Sequence, residues 1–292
     1  MSKVLYETDG RIAYVTINRP EARNAIDFDV HEQLISTWEQ FAADDSLDVA
    51  ILTGRGEAFC AGADLKAFLP VLAQRSASEM RPYADRGLGG LTRGLHRIYK
   101  PIIAAVNGWA LAGGFETALA CDIRIASERA MFGSFEVRRG LHHSDGGIVR
   151  LVNMAGTAFA LEMLLTGEPI DAQRALERGL VAKVVPHEDL LAEAEATAHL
   201  ILRNSQTAIR SAKRAIFDVI GKPLDDQLFI EAWLGISGGD LKETAERLMN
   251  FYTKSDEGRV GRNANGEPSD GGAKADELGE SEDKKNEIAG GR

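Results

Sequence analysis

Two acidic residues and two small-residue turns are the parts of this sequence best suited to chemistry. Glu116 follows Gly113 by three positions and is flanked by Phe115 and by Thr117-Ala118-Leu119-Ala120. In such an apolar helical run a carboxyl is held away from water, poised to exchange a proton. The competing reading is a glutamate on a solvated helix face. Glu136 closes the run MFGSFE, just after a short strand-like segment. The turns are AFCAGADLK, from Ala58 to Lys66, and NGWALAGGFETALACD, from Asn107 to Asp122. Each runs from a strand through small residues into a helix start. Small residues let a ligand approach the backbone, and the first N–H groups of a helix lack internal partners and carry partial positive charge. Two such turns face to face would offer paired donors to one oxygen anion. Close helix–strand packing alone produces the same residue pattern.

The elements that must position these groups are legible from periodicity. Val4 to Glu7 and Ile12 to Asn18 read as strands around an Asp9-Gly10 turn. Val30, Leu34, Trp38 and Phe41 have helical spacing from Phe28 to Ala43, with Asp27 as N-cap. Strands are expected at Val49 to Thr53, Ile102 to Asn107 and Ile123 to Ala126, and helices opening near Asp64 and Gly113. Ser78 to Tyr99 reads as helix with a break at Gly87, Gly89 and Gly90. The strands are apolar throughout, which implies parallel strands covered by helices on both faces. From Thr157 the pattern is helical apart from Val181 to Val185. Ser205 to Ile220, Leu224 to Ile236 and Leu241 to Tyr252 are amphipathic. The chain thus divides into a core over 1–200, a helical subdomain over 201–257 and a polar, acidic tail over 258–292, too poor in aliphatics to offset its ordering entropy.

A net charge of −10 argues against nonspecific nucleic-acid binding, which needs a dense basic surface. Cys60 and Cys121 lie in apolar runs without ligand spacing, and the histidines form no HExxH pattern, so neither a disulfide nor a metal site is expected. No signal peptide and no apolar run near 18 residues is visible, which makes the cytoplasm the simplest location and a membrane partner unexpected.

The ordered series of motifs resembles the crotonase family, the enoyl-CoA hydratase/isomerase superfamily, from about Val4 to Tyr252. It is carried by NRPEARNAI, AFCAGADLK, VNGWALAGGFE, CDIRIAS, FGSFEVRRGL and LLTGEPIDAQRALERGLVAKVV. The resemblance implies an α/β fold of stacked ββα turns forming a superhelix, with a helical C-terminal region that assembles trimers or hexamers. It implies an acyl-CoA thioester as substrate, coenzyme A entering as part of it and no other cofactor. Its oxyanion hole falls on the N–H groups of Ala63 and Gly113, and its two hydratase glutamates fall on Glu116 and Glu136. Arg23, Ala61, Asp64, Leu65 and Lys66 match coenzyme A-contacting positions; for Arg23 and Lys66 a plain surface charge is the equal alternative.

One loop departs from the family pattern. Where hydratases carry a Pro-Gly-rich turn, this chain has GLHHSDGGIVRL, which places His142, His143 and Asp145 beside the expected acyl pocket. Two roles stay open for them, a hydrogen-bonded loop that shapes the pocket or an auxiliary acid or base. Arg86, Arg93, Arg97, Arg138 and Arg139 form a further candidate cluster for a carboxylated acyl group, with solvated helix faces as the alternative. The expected reaction is hydration of a 2-enoyl-CoA. The alternatives are another thioester reaction on the same scaffold (isomerisation, dehydration of a specialised hydroxyacyl-CoA, C–C hydrolysis) and a binding protein without catalysis.

Overall fold

The computed structural model describes residues 2–93 and 98–260. The chain opens with β1 (Val4–Asp9) and β2 (Ile12–Ile17), an antiparallel hairpin paired from Val4–Ile17 to Asp9–Ile12. Next comes α1 (Phe28–Ala43), where the Asp27 side chain accepts a hydrogen bond from the Val30 N–H, satisfying one orphan donor of the first turn. Three strand–strand–helix turns then follow. The first is β3 (Val49–Gly54), β4 (Ala58–Cys60) and α2 (Leu65–Leu72), after which α3 (Ala77–Arg86) and a short turn of 3-10 helix (Leu88–Gly90) intervene. The second is β5 (Ile102–Val106), β6 (Trp109–Leu111) and α4 (Gly113–Ala120). The third is β7 (Ile123–Ser127), β8 (Met131–Gly133), a 3-10 segment (Phe135–Arg139) and α5 (Gly147–Ala155). Helices α6 (Thr157–Thr166), α7 (Ala172–Glu177), α8 (Leu190–Leu202), α9 (Gln206–Val219), α10 (Leu224–Ser237) and α11 (Leu241–Val260) complete it, with β9 (Ile170–Asp171) and β10 (Lys183–Val185) between them.

The first strand of each turn joins one sheet, in the order β1-β2-β3-β5-β7-β10, and the second joins another, β4-β6-β8-β9. From β2 to β10 the larger sheet is parallel, and β4, β6 and β8 pair in parallel too. Strand periodicity explains the unbroken apolar runs. Ala13, Val15, Ala50, Leu52, Ala104, Val106 and Ala126 face the main core, together with Trp38 and Phe41 of α1. The alternating residues Ile12, Val49, Ile51, Ile103, Ala105 and Ile125 face a second core closed by Leu190, Ala194 and Ala198 of α8.

The hairpin, α1 and the longer strands match the sequence expectation. The bounds of the short strands Ala58–Cys60 and Trp109–Leu111, and the strand Ile170–Asp171 itself, do not follow from the sequence: two or three residues are too few for a period to emerge. The stretch expected as one broken helix from Ser78 to Tyr99 resolves into α3 and the 3-10 turn, with residues 94–97 outside the described set. Helices α9 and α10 belong to the same compact unit as the sheets, which runs to Asp240, so the expected boundary near residue 200 is not a break in packing. Arg210 of α9 reaches Asp48 at 2.6 Å and Lys213 reaches Asp122 at 2.6 Å. Helix α11 belongs to a separate unit beginning at Leu241 and extends past the expected end at Glu257, and most of the expected tail, 261–292, lies outside the described residues.

Candidate active site

Two buried asparagines set the first turn. Asn24 and Asn107 both donate to the Ala58 carbonyl, at 2.6 and 3.2 Å, and Asn107 also donates to the Gly56 carbonyl. These bonds hold β4 against the strand that leads to the second turn. A parallel bridge joins Ile26 to Ala63, with the Ile26 N–H donating to Gly62 and the Asp64 N–H donating to Ile26. That bridge leaves the Ala63 N–H outside its bonding. On the second turn, Ala112 sits at φ 52, ψ −126, a conformation rare for a residue with a Cβ, held by its N–H bond to the Gly133 carbonyl. Strain of this kind costs of order 1–3 kcal/mol and collects at functional sites. It turns the chain so that Gly113 begins α4, where its N–H has no partner within the helix. The two turns abut: a Cβ on Gly62 would lie 2.9 Å from Gly113 N, and one on Gly113 would lie 3.6 Å from Ala63 N.

Glu116 is one turn into α4 and 2% exposed. Its Oε1 accepts hydrogen bonds from the Asp145 and Gly147 N–H groups, each at 2.8 Å. These donors belong to the start of α5, so the carboxylate rests at a second helix N-terminus, where the macrodipole favours negative charge. Glu136, on the 3-10 segment after β8, points toward the same place, and its Oε2 is buried without a hydrogen-bond partner.

Between the two glutamates lies His143. Its side chain is wholly inaccessible to solvent, with Nδ1 2.7 Å from Glu136 Oε1 and 3.3 Å from Glu116 Oε1. The N–H at Nδ1 is aligned squarely with neither carboxylate, so these are close charge contacts rather than well-directed bonds. On its other side Nε2 is 2.7 Å from Ser134 Oγ. Burial disfavours a charged imidazole, yet contact with Glu116 and then Glu136 outweighs it and pushes the pKa up to about 9. Gly147 packs directly on the pair, since a Cβ there would come 2.6 Å from the His143 ring and 2.9 Å from Glu116 Cγ.

The rest of the departing loop has other work. Asp145 Oδ1 accepts from the Leu88 N–H at 2.9 Å and from Thr92 Oγ1 at 3.0 Å. The same 3-10 turn is held from its other side by the Gly89 N–H donating to His31 Nδ1. Asp145 is therefore a staple between two loops. His142 is exposed, and its Nδ1 contacts the His143 carbonyl. Ser134 and Gly147 were missed by sequence reading. The signals were a Ser two residues before Glu136 and a Gly-Gly pair at a helix start, both too common to single out.

Of the positions matched to coenzyme A contacts, Arg23 and Lys66 are exposed, and Ala61 and Leu65 are half-buried. Arg23 and Ala61 are adjacent, the Ala61 N–H donating to the Arg23 carbonyl. Asp64 differs. Its carboxylate takes Arg19 at 2.7 Å and the N–H groups of Lys66 and Ala67, and the Arg19 guanidinium holds its pKa below the usual carboxylate range. It orders the start of α2. Of the candidate arginines, Arg138 pairs with Glu168 and stacks on Phe135, Arg139 contacts the Arg138 carbonyl, Arg86 approaches Glu39 and Arg93 approaches Asp145, while Arg97 lies outside the described residues.

Among the described residues, the group able to hold a metal ion is Glu116, Glu136 and His143, whose donor atoms lie within 4.8 Å of one another. The same contacts place Nδ1 within proton-exchange distance of both carboxylates. The arrangement can therefore polarise a carbonyl oxygen at two backbone N–H groups and move protons among two carboxylates and an imidazole beside it.

Comparison with known proteins gives the same direction. The sequence model of the family described as enoyl-CoA hydratase/isomerase matches residues 7–257. A probable enoyl-CoA hydratase of Mycobacterium tuberculosis is 37% identical over 251 residues, covering 86% of this chain and 95% of that protein. The mevalonyl-coenzyme A hydratase of Aspergillus fumigatus is 45% identical over 199 residues, 68% of this chain and 72% of its own. The crystal structure of an enoyl-CoA hydratase from Mycobacterium tuberculosis superposes with a TM-score of 0.77 at 39% identity, covering 86% of this chain and 96% of that one.

Proposed function

The chain belongs to the enoyl-CoA hydratase/isomerase family, and from that premise we propose that it adds water across the 2,3 double bond of a 2-enoyl-CoA thioester. The thioester oxygen is polarised by the N–H groups of Ala63 and Gly113, which makes the β-carbon electrophilic. Water attacks that carbon while Glu116 accepts its proton. The enolate electrons return to the α-carbon, which takes a proton delivered through Glu136. Charge stabilisation and proton transfer are the whole chemistry, and coenzyme A takes part as a piece of the substrate.

The single observation that carries this reading is the convergence of the buried Glu116 and the half-buried Glu136 beside two abutting helix-start turns. Arg23, Ala61, Leu65 and Lys66 are the proposed coenzyme A contacts. Self-association as a trimer or dimer of trimers belongs to the same proposal, supported by the exposed apolar side chains Leu228, Phe229, Trp233 and Ile236 of α10. No helix among the described residues is long and apolar enough to cross a membrane. A cytoplasmic location is supported by Cys60 and Cys121, both buried free thiols pushed up to about 12 by burial.

Turnover of crotonyl-CoA, followed by loss of the conjugated-thioester absorbance, tests the proposal. Glu116→Gln and Glu136→Gln should each lower kcat by at least about 10²-fold with less effect on KM, since the amide keeps size and loses basicity. An isomerase relying on one base would tolerate one of these changes. Near-wild-type hydration by either variant would exclude the two-glutamate mechanism.

A further inference from the structure

An imidazole wedged between two acid–base carboxylates has a consequence for how the site resets. In the hydration proposed above, Glu116 ends the reaction with a proton and Glu136 ends it without one. The next turnover needs Glu116 ionised again and a proton within reach of Glu136. His143 Nδ1 is the atom that lies against both carboxylates, 2.7 Å from one and 3.3 Å from the other, inside a pocket where its side chain meets no solvent. We propose that His143 carries this proton, passing one to Glu136 and retrieving one from Glu116, so that the site restores itself internally. The inference rests on the hydratase reading.

The steps balance. At the start Nδ1 holds a proton and both carboxylates are ionised. As the water oxygen bonds to the β-carbon, a water proton moves to Glu116, and the double-bond electrons move to the thioester oxygen. Glu136 takes the proton from Nδ1 and, as the enolate returns its electrons to the α-carbon, gives that proton to the carbon and is ionised again. Glu116 then passes its proton to the vacant Nδ1. The sum is water plus enoyl thioester giving 3-hydroxyacyl thioester, with all three groups as they began.

Three features of the surroundings fit a carrier rather than a filler. Nε2 is anchored 2.7 Å from Ser134 Oγ, a hydroxyl able to accept or donate, so the ring presents Nδ1 to the glutamates in either charge state. Glu136 meets Nδ1 through Oε1, and its Oε2 has no hydrogen-bond partner, so the one close polar contact of this carboxylate is the one that brings it the proton. The remaining charges nearby do not compete for the proton. Asp145 is turned to Leu88 and Thr92, and Arg150 of α5 donates to the Asp145 and Thr92 carbonyls. The raised imidazole pKa places the charged form in the majority at neutral pH.

His143 touches the two carboxylates and not the reacting carbons, so its test must read protonation directly. The full chain, labelled with ¹⁵N in its histidines, is titrated by NMR, with the His143 signals identified by their loss in His143→Gln. Both ring nitrogens should be protonated at pH 7 with a midpoint near 9, and Glu116→Gln should move that midpoint down. In parallel, kcat for crotonyl-CoA should fall above that midpoint in the wild type. His143→Gln should lose this alkaline limb along with about 10²-fold of kcat, at little cost in KM. A neutral ring at pH 7, an alkaline limb that survives in His143→Gln, or turnover that disappears with a chelator would each overturn the proposal. If the wild-type protein hydrates no enoyl-CoA, the hydratase reading fails, and the NMR midpoint still decides whether the three groups share a proton.

Discussion

At His143, burial and charge pull in opposite directions, and the outcome has a thermodynamic signature. The ring is hidden from solvent, which alone would favour the neutral form, but two carboxylates at 2.7 and 3.3 Å favour the cation. A histidine whose folded pKa is about 9 and whose unfolded value is about 6.5 binds its proton more tightly in the native state. The resulting stability is fully present below about pH 6.5 and is lost as pH rises through about 9, because above that point neither state holds the proton. The contribution is on the order of 1–3 kcal/mol. Thermal unfolding between pH 6.5 and 9.5 should therefore show a steeper fall in Tm for the wild type than for His143→Gln. Parallel slopes would mean that the imidazole is not charged at neutral pH. Nothing in the residue string announces this. His142 and His143 are adjacent and identical in type, and only the path of the loop sends one into the site and the other into solvent.

At the scale of elements, the site is a meeting of helix starts. Glu116 leaves the first turn of α4 and lands on the first turn of α5, while the opening of α4 abuts the turn that leads into α2. Two neighbouring glycines separate packing from chemistry. A Cβ on Gly114 would stand 2.0 Å from the Cys60 carbonyl oxygen and 2.6 Å from its carbon, backbone atoms of β4 that cannot swing aside. Gly114→Ala should therefore destabilise the fold by roughly 1–3 kcal/mol. A Cβ on Gly113 would meet the tip of Leu88 at 2.5 Å, a flexible methyl, and would sit 3.6 Å from Ala63 N, where the thioester oxygen is proposed to bind. Gly113→Ala should keep a Tm within a few degrees of the wild type and lose most of its turnover. Full activity in Gly113→Ala would move the oxyanion site elsewhere.

For the molecule as a whole, the exposed apolar side chains sit mainly on the later helices. Leu224, Phe229, Trp233 and Ile236 of α10 are 67, 69, 61 and 80% exposed, more than a monomer's scattered surface residues explain. Helix α11, taken by itself, carries Leu241, Met249, Phe251 and Tyr252 in the same state. A protein leaving this much aliphatic and aromatic surface open is expected to bury it against copies of itself. Multi-angle light scattering at micromolar concentration should return three or six chains per particle; a stable monomer would refute the assembly.

Much of this protein was readable from its residues in order. Periodicity located α1 with its Asp27 cap and the long buried strands, because a repeat of 3.6 or 2 positions is a local property of the chain. Ordered motifs marked Glu116, Glu136, Ala63 and Gly113 as the residues to watch. What the tertiary structure alone decided is contact between segments distant in sequence. Asp145, for which a hydrogen-bonded loop was one of two open roles, ties its loop to Leu88, 57 positions away. Asp64, marked for coenzyme A, is drawn to Arg19, 45 positions away. His143, 27 positions beyond Glu116, is set between it and Glu136 by the loop that runs into α5. Residue type fixes what a side chain can exchange, but burial and neighbours set its charge, and those arise only when strands and helices remote in the chain are packed together.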